Sequence, residues 1–475
     1  MMTLEKALEL LQAHIPQARL VGDGKLELAR VHTDTRTLQA GDLFVALKGE
    51  RFDAHDFLPQ AKAAGAVAAL ASHGLAEAGL SGIEVPDSLQ ALGALARAWR
   101  AQFALPLIAV TGSNGKTTVT QMIASILRAH AGDAALATRG NFNNSIGMPL
   151  NLLRMTGQHR LAVLEMGMNH PGEITPLTTL VRPHIAIITS VEAVHMEYFA
   201  STAEIAAAKA EIFDGVGAGG IAILPRDNRH FATLKREAET KGLSVQSFGS
   251  HIDAGARLLD CAVDPAETVV FALFGDQALS YRVGVSGRQW AMNSLAVLKA
   301  AAAAGVPLVD AAKALGHMQA PKGRGQRRKL AWAEGSVELI DESYNASPVS
   351  MRAAIATLAA AKPGKGGRRI AALGDMLELG EASTSLHAGL AEAVVERGID
   401  IVFTAGPLML SLHEALPSAL RGLHAATADA LAPLLAEALK SGDVVMIKGS
   451  AGSRMGRVVQ ALSDASATLN PPAQS

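Results

Sequence analysis

The stretch Gly112-Ser113-Asn114-Gly115-Lys116-Thr117-Thr118 constrains this chain more than any other. It follows an apolar run, Leu105 to Val110, that reads as a buried strand. It precedes residues 119–130, where apolar positions recur at helical spacing. Strand, glycine-rich turn, Lys-Thr and helix together form a phosphate cradle. Backbone N–H groups and the positive helix end hold phosphate oxygens, Lys116 adds a point charge, and the Thr117 hydroxyl can ligate Mg²⁺. A nucleoside triphosphate site is therefore expected. The longer form of such loops has a glycine five positions before Gly115, where Val110 stands, so this is a short G-x-x-G-K-T-T loop. The plainer reading is a tight strand-to-helix turn with a surface lysine. The flanking strand and helix argue against it.

Composition excludes several classes. With 43 basic and 44 acidic residues in 475, the net charge of −1 leaves no electrostatic footprint for nucleic acid or an anionic membrane. Aromatic residues are scarce, which disfavours base-stacking platforms. The single cysteine, Cys261, forbids an internal disulfide framework and a cysteine-cluster metal site. Residues 1–20 place Glu5, Glu9 and His14 at amphipathic spacing without a signal-peptide core, and the alanine-rich run 300–309 is too short to span a bilayer. A soluble cytoplasmic protein, with no membrane insertion and no nucleic-acid partner, is the expectation.

Length suggests about three domains. Residues 1–104 show strand-like pieces at 26–31, 43–47 and 67–70, separated by turn signals, and predict a small α/β unit. Residues 105–320 alternate strand and helix, with strands at 107–110, 161–164, 185–189 and 221–224, and predict a parallel sheet. Residues 321–328, basic and glycine-containing, read as a linker. Residues 321–475 then resume alternation, with strands at 337–340, 369–373, 401–404 and 444–447, and predict a second, Rossmann-like sheet. The tail 470–475 reads as disordered.

Ligands of open α/β sheets bind beyond the carboxyl ends of strands, which ranks the polar residues. Glu165 follows one such strand and suits Mg²⁺ or its water; otherwise it is an ordinary strand-end acid. His195 follows the strand at 185–189, although a lone histidine is more often structural. Lys209, in a helical Ala206-Ala207-Ala208-Lys209-Ala210-Glu211, reads by itself as a solvated lysine. The amide-rich loop with Asn141, Asn143 and Asn144 suits a sugar- or peptide-like substrate, or is a simple turn former.

These motifs line up with one family. The chain resembles the ATP-dependent Mur ligases over nearly its whole length. The residues that carry the resemblance are Thr33-Asp34-Thr35-Arg36, Gly41 to Phe57, the short phosphate loop, Gly140 to Asn144, Glu165-Met166-Gly167, Gly374 to Gly380 and Lys448-Gly449-Ser450. The stretch Ser343-Tyr344-Asn345-Ala346-Ser347-Pro348-Val349-Ser350-Met351 is similar to the branch that adds D-alanyl-D-alanine to UDP-N-acetylmuramoyl-tripeptide. The resemblance implies that residues 1–104 bind the UDP-sugar-peptide, through Thr35, Arg36 and Lys48, with Asn143, Asn144 and Lys448 as further substrate contacts. It implies that residues 105–320 bind ATP through Gly112 to Thr118 and Asn293, assisted from residues 321–475 by Arg324 and Asn345. Either Asp341 or Glu342 would contact the ribose. Lys209 would be carbamylated by CO₂ and, with Thr117, Glu165 and His195, would hold Mg²⁺, two ions being expected. Ala210 stands where the family commonly has glycine, and Gln289-Trp290 where it often has His-Asn.

The implied reaction is ligation through an acyl phosphate, with Lys116 and the metal ions screening the approach of two anions. A monomer is the family precedent. Two alternatives stand beside it: a sister ligase adding a single amino acid, against which Ser343 to Ala346 argues, and a non-ligating P-loop ATPase or sensor of cell-wall precursors, against which Glu165, His195 and Lys209 argue.

Overall fold

The structure is a computed structural model and describes residues 1–194, 196–333 and 335–469. It is an α/β protein built on three main sheets, one in each of three successive units. Among the described residues no helix is long and apolar enough to cross a membrane. The tail 470–475 lies outside the described residues.

In the N-terminal unit, Arg30–His32, Asp42–Val45, Ala68–Ala71 and Gly82–Glu84 run parallel, and Arg19–Val21 closes the edge antiparallel. The single strand expected at 26–31 is two. Glu27–Leu28 pairs with Met2–Thr3, whereas Arg30–His32 joins the five-stranded sheet. The chain changes sheets at Ala29, whose N–H is held by the Gly41 carbonyl at 2.8 Å.

The central sheet has nine strands. Leu107–Thr111, which feeds the phosphate loop, lies between Ile185–Ile188 and Leu161–Glu165 and is parallel to both. Leu107 and Ala109 enter one core and Ile108 and Val110 another, so both faces are buried. That is why the run is continuously apolar rather than alternating. Register places Glu165 beside Val110 and Ile188 beside Thr111, which brings three strand ends to one edge. The expected parallel sheet is extended by an antiparallel meander, Ala256–Val263, Thr268–Phe274 and Gln277–Val283. These strands alternate buried and exposed positions, as half-solvated antiparallel strands do.

The third sheet runs Gln326–Trp332, Gly335–Glu342, Val444–Lys448, Arg369–Gly374, Ile401–Ala405 and Arg421–Ala425. Residues 326–328, expected to be linker, begin its edge strand. Arg327 pairs with Glu338 on the neighbouring strand at 2.6 Å, so a basic segment is tied into a ladder by its cross-strand partner. The parallel register of Gly335–Glu342 on Val444–Lys448 sets Glu342 opposite Lys448.

Candidate active site

A cavity of about 930 Å³ lies where the central and C-terminal units meet. From the central unit it takes Ser113 to Thr118, Asn143, Asn144, Glu165 and Asn293. The C-terminal unit contributes Arg324, Glu342, Asn345 and Lys448. The structure therefore gathers most of the residues singled out in the sequence. Thr35, Arg36 and Lys48 do not line it. His195 lies outside the described residues.

The loop is shaped by its glycines and braced from behind. Gly112 has φ +146° and Gly115 φ +84°. A Cβ on Gly112 would stand 1.9 Å from Thr189 Oγ1. Gly112→Ala is expected to cost about 2–4 kcal/mol from backbone strain plus overpacking. A urea midpoint unchanged from wild type would contradict this. The bracing comes from the segment after Ile185–Ile188. Ser113 N–H donates to Ser190 O at 2.9 Å, Asn114 N–H to Ser190 Oγ at 3.0 Å, and Ser113 Oγ to Glu192 O at 3.1 Å. Ser190 and Glu192 were missed from sequence. Their only signal is that they follow a strand end adjacent to the loop.

The helix Lys116–Ala131 opens on Gly115 with no side-chain cap. Its first-turn N–H groups therefore suit an anion. Lys116 curls back so that its ammonium donates to Gly112 O at 2.7 Å. Burial pushes this ammonium below its ordinary pKa, opposed by the Glu165 charge and reinforced by Arg324. Glu165 is buried at its strand end, where its Oε1 accepts from Asn143 Nδ2 at 2.8 Å. Asn144 behaves as the turn former: its Oδ1 accepts from the N–H groups of Ile146 and Gly147.

Lys209 corrects the solvated reading. It sits in the helix Thr202–Ala210 and is 1% exposed. Among the described residues its ammonium has no hydrogen-bond partner, and it does not line the cavity. Burial, then the Lys116 charge, hold it well below the ordinary lysine pKa, with Glu211 opposing.

The C-terminal unit separates Asp341 from Glu342. Asp341 is buried and spends its carboxylate on its own turn, accepting from Gly323 N–H, Ser343 N–H and Ser343 Oγ. Glu342 is the acid that reaches the cavity, 3.5 Å from Lys448 Nζ. Lys448 also donates to Asn345 O at 2.9 Å, and burial lowers its pKa against the pull of Glu342. The Arg324 guanidinium lies 4.0 Å over the Tyr344 ring. Lys116, Lys448 and Arg324 line this space together with Glu165, Glu173, Glu192 and Glu342, so the lining carries no net positive charge. An anion is accommodated locally, at Lys116 and the uncapped helix end.

Away from the cavity, Arg36 bonds Asp34 through both carboxylate oxygens and, with its backbone N–H, holds that carboxyl down at about 2. Lys48 is exposed and makes an isolated backbone bridge to Asp53.

Three family models cover this layout in order. Residues 27–100 match the Mur ligase family catalytic domain, 110–301 the Mur ligase middle domain and 323–451 the Mur ligase glutamate ligase domain. A UDP-N-acetylmuramoyl-tripeptide–D-alanyl-D-alanine ligase of Escherichia coli is 38% identical, over 92% of this chain and 94% of that protein. The chain belongs to the Mur ligase family. A crystal structure of MurF from Acinetobacter baumannii superposes with a TM-score of 0.84 at 31% identity, covering 96% of this chain and 98% of the other. MurF ligase from Thermotoga maritima in complex with ADP gives 0.77 at 28% identity, covering 92% and 97%. These neighbours share the three-unit α/β fold.

Proposed function

We propose that this chain uses ATP to join D-alanyl-D-alanine to UDP-N-acetylmuramoyl-tripeptide, yielding the UDP-N-acetylmuramoyl-pentapeptide precursor of peptidoglycan. The observation that carries the reading is the cavity itself. One space joins the phosphate loop and Glu165 to Tyr344, Asn345 and Lys448 of the next unit. The extent of likeness to D-alanyl-D-alanine ligases supports it against a sister ligase.

In this reading residues 1–104 take the UDP-sugar, with Thr35, Arg36 and Lys48 as contacts. Residues 105–320 bind ATP, and residues 321–475 close over both substrates. The tripeptide carboxylate attacks the γ-phosphorus, the bond to ADP breaks, and an acyl phosphate forms. The D-alanyl-D-alanine amine then attacks the acyl carbon, loses a proton, and phosphate leaves. No protein nucleophile is required, and positioning dominates. Lys116 and the uncapped helix end stabilise phosphate charge, while Arg324, Glu342, Asn293 and Asn345 hold the nucleoside end.

Mg²⁺, when bound, would neutralise phosphate charge. We assign Thr117, Glu165, His195 and Lys209 to hold it. A hard cation wants oxygen donors, so Lys209 fits only as a carbamate. Its unpartnered burial and its tilt toward the neutral amine, the form that adds CO₂, support that assignment. The reading carries with it a cytoplasmic enzyme working as a monomer.

The test is ADP release with ATP, Mg²⁺, the UDP-linked tripeptide (with diaminopimelate or lysine as third residue) and D-alanyl-D-alanine. Release is expected only when acceptor and dipeptide are both present. Equal release with a single amino acid in place of the dipeptide would sink the reading.

A further inference from the structure

We infer that Ser347 is a positioning residue for phosphoryl transfer: its hydroxyl fixes the Asn114 side-chain amide so that the amide nitrogen is left to donate to a phosphoryl oxygen. The inference rests on the ligase reading above and adds a specific device to it.

Ser347 Oγ donates to Asn114 Oδ1 at 2.9 Å, linking two units across 233 residues of chain. Asn114 has little freedom elsewhere. Its N–H is held by Ser190 Oγ, and its carbonyl accepts from the Thr189 and Ser190 hydroxyls. The side-chain amide is therefore the variable part, and fixing its oxygen fixes its nitrogen. That nitrogen is buried and has no partner among the described residues. A buried donor without an acceptor is unfavourable unless a ligand supplies one. The residue lines the cavity with Lys116, Arg324 and Lys448, so the acceptor that suits it is an anionic oxygen.

Ser347 is itself held in place. It is the N-cap of the helix Pro348–Ala359, in a reciprocal capping box with Ser350. Its oxygen accepts from Ser350 N–H, and Ser350 Oγ donates to Ser347 O. The one Ser347 hydroxyl proton has two acceptors in reach, Asn114 Oδ1 at 2.9 Å and Ser350 Oγ at 3.2 Å, and the shorter contact is to Asn114. Because the helix belongs to the C-terminal unit and the loop to the central one, the bond forms only when the two are docked. Docking would thereby switch the loop from an ATP-holding state to a phosphoryl-transferring one.

The cap and the donor can be separated by substitution. Ser347→Thr keeps both and is expected to retain kcat within about twofold. Ser347→Asp keeps the cap but offers only acceptors, and is expected to lower kcat about 10- to 100-fold with KM for ATP within about threefold. Asn114→Ala is expected to lower kcat about 100-fold, and adding Ser347→Asp to it should lower kcat no further. If Ser347→Asp misfolds, Ser347→Gly, a tolerated cap without the hydroxyl, takes its place with the same expectation. A Ser347→Asp or Ser347→Gly kcat within twofold of wild type would overturn the inference, as would losses that multiply in the double variant. Wild-type activity is measured first: an inactive wild type counts against the ligase reading, whereas an active one with insensitive variants counts against Ser347 alone.

Discussion

Lys209→Ala is expected to lower kcat by about 10²–10³-fold, the scale of losing one fixed electrostatic group from a phosphoryl site. The physical reason is the mismatch between the residue and its surroundings. A lysine 1% exposed, with no hydrogen-bond partner among the described residues, is a poor structural cation. Burial and the nearby Lys116 charge both favour its neutral amine. That amine can add CO₂, releasing a proton and becoming an anion. The anion would relieve the repulsion from Lys116 and supply oxygens for Mg²⁺. Two further results should accompany the loss. Wild-type enzyme stripped of CO₂ should lose activity and regain it with bicarbonate. The alanine variant should ignore bicarbonate and recover partly with acetate. Full activity in the variant would refute the carbamate role.

Lys116→Met is expected to cost a similar 10²–10³-fold in kcat. Here the argument is geometric. The ammonium is parked on the carbonyls of Gly112 and Ser113, at 2.7 and 3.4 Å, at the start of the uncapped helix. Desolvation, with Arg324 adding to it against Glu165, lowers its pKa, so an arriving polyphosphate would restore its preferred charged form. Methionine keeps most of the length and packing and removes the charge together with its bonds to the Gly112 and Ser113 carbonyls. The loss should therefore appear without a matching fall in thermal midpoint. An unchanged kcat would show that the helix end and bound cations alone carry the phosphate charge.

Much of the site was legible because its parts are local. Gly112 to Thr118 announce a phosphate loop through contiguous residue types, and Glu165 is marked by the apolar run that precedes it. The strands near the site are continuous apolar runs because both faces are buried. Elsewhere the local signal misled. The basic segment at 326–328 looked like linker, yet Glu338 across the ladder makes it strand. Lys209 looked solvated because its alanine neighbours say nothing about what packs over them.

The pair Asp341 and Glu342 shows the boundary most clearly. As neighbours in a strand they point to opposite sides, and the sequence offers two equivalent acids. The fold assigns one to the Gly323–Ser343 turn and the other to Lys448 in the cavity. Asn114 and Ser347 make the same point at longer range, since nothing local relates residues 233 positions apart. What this chain determined by sequence alone was its phosphate loop, its α/β alternation and its family likeness, all written in short-range patterns. What only the tertiary structure decided was which charged groups share one cavity, because burial and pairing depend on the register and docking of distant strands.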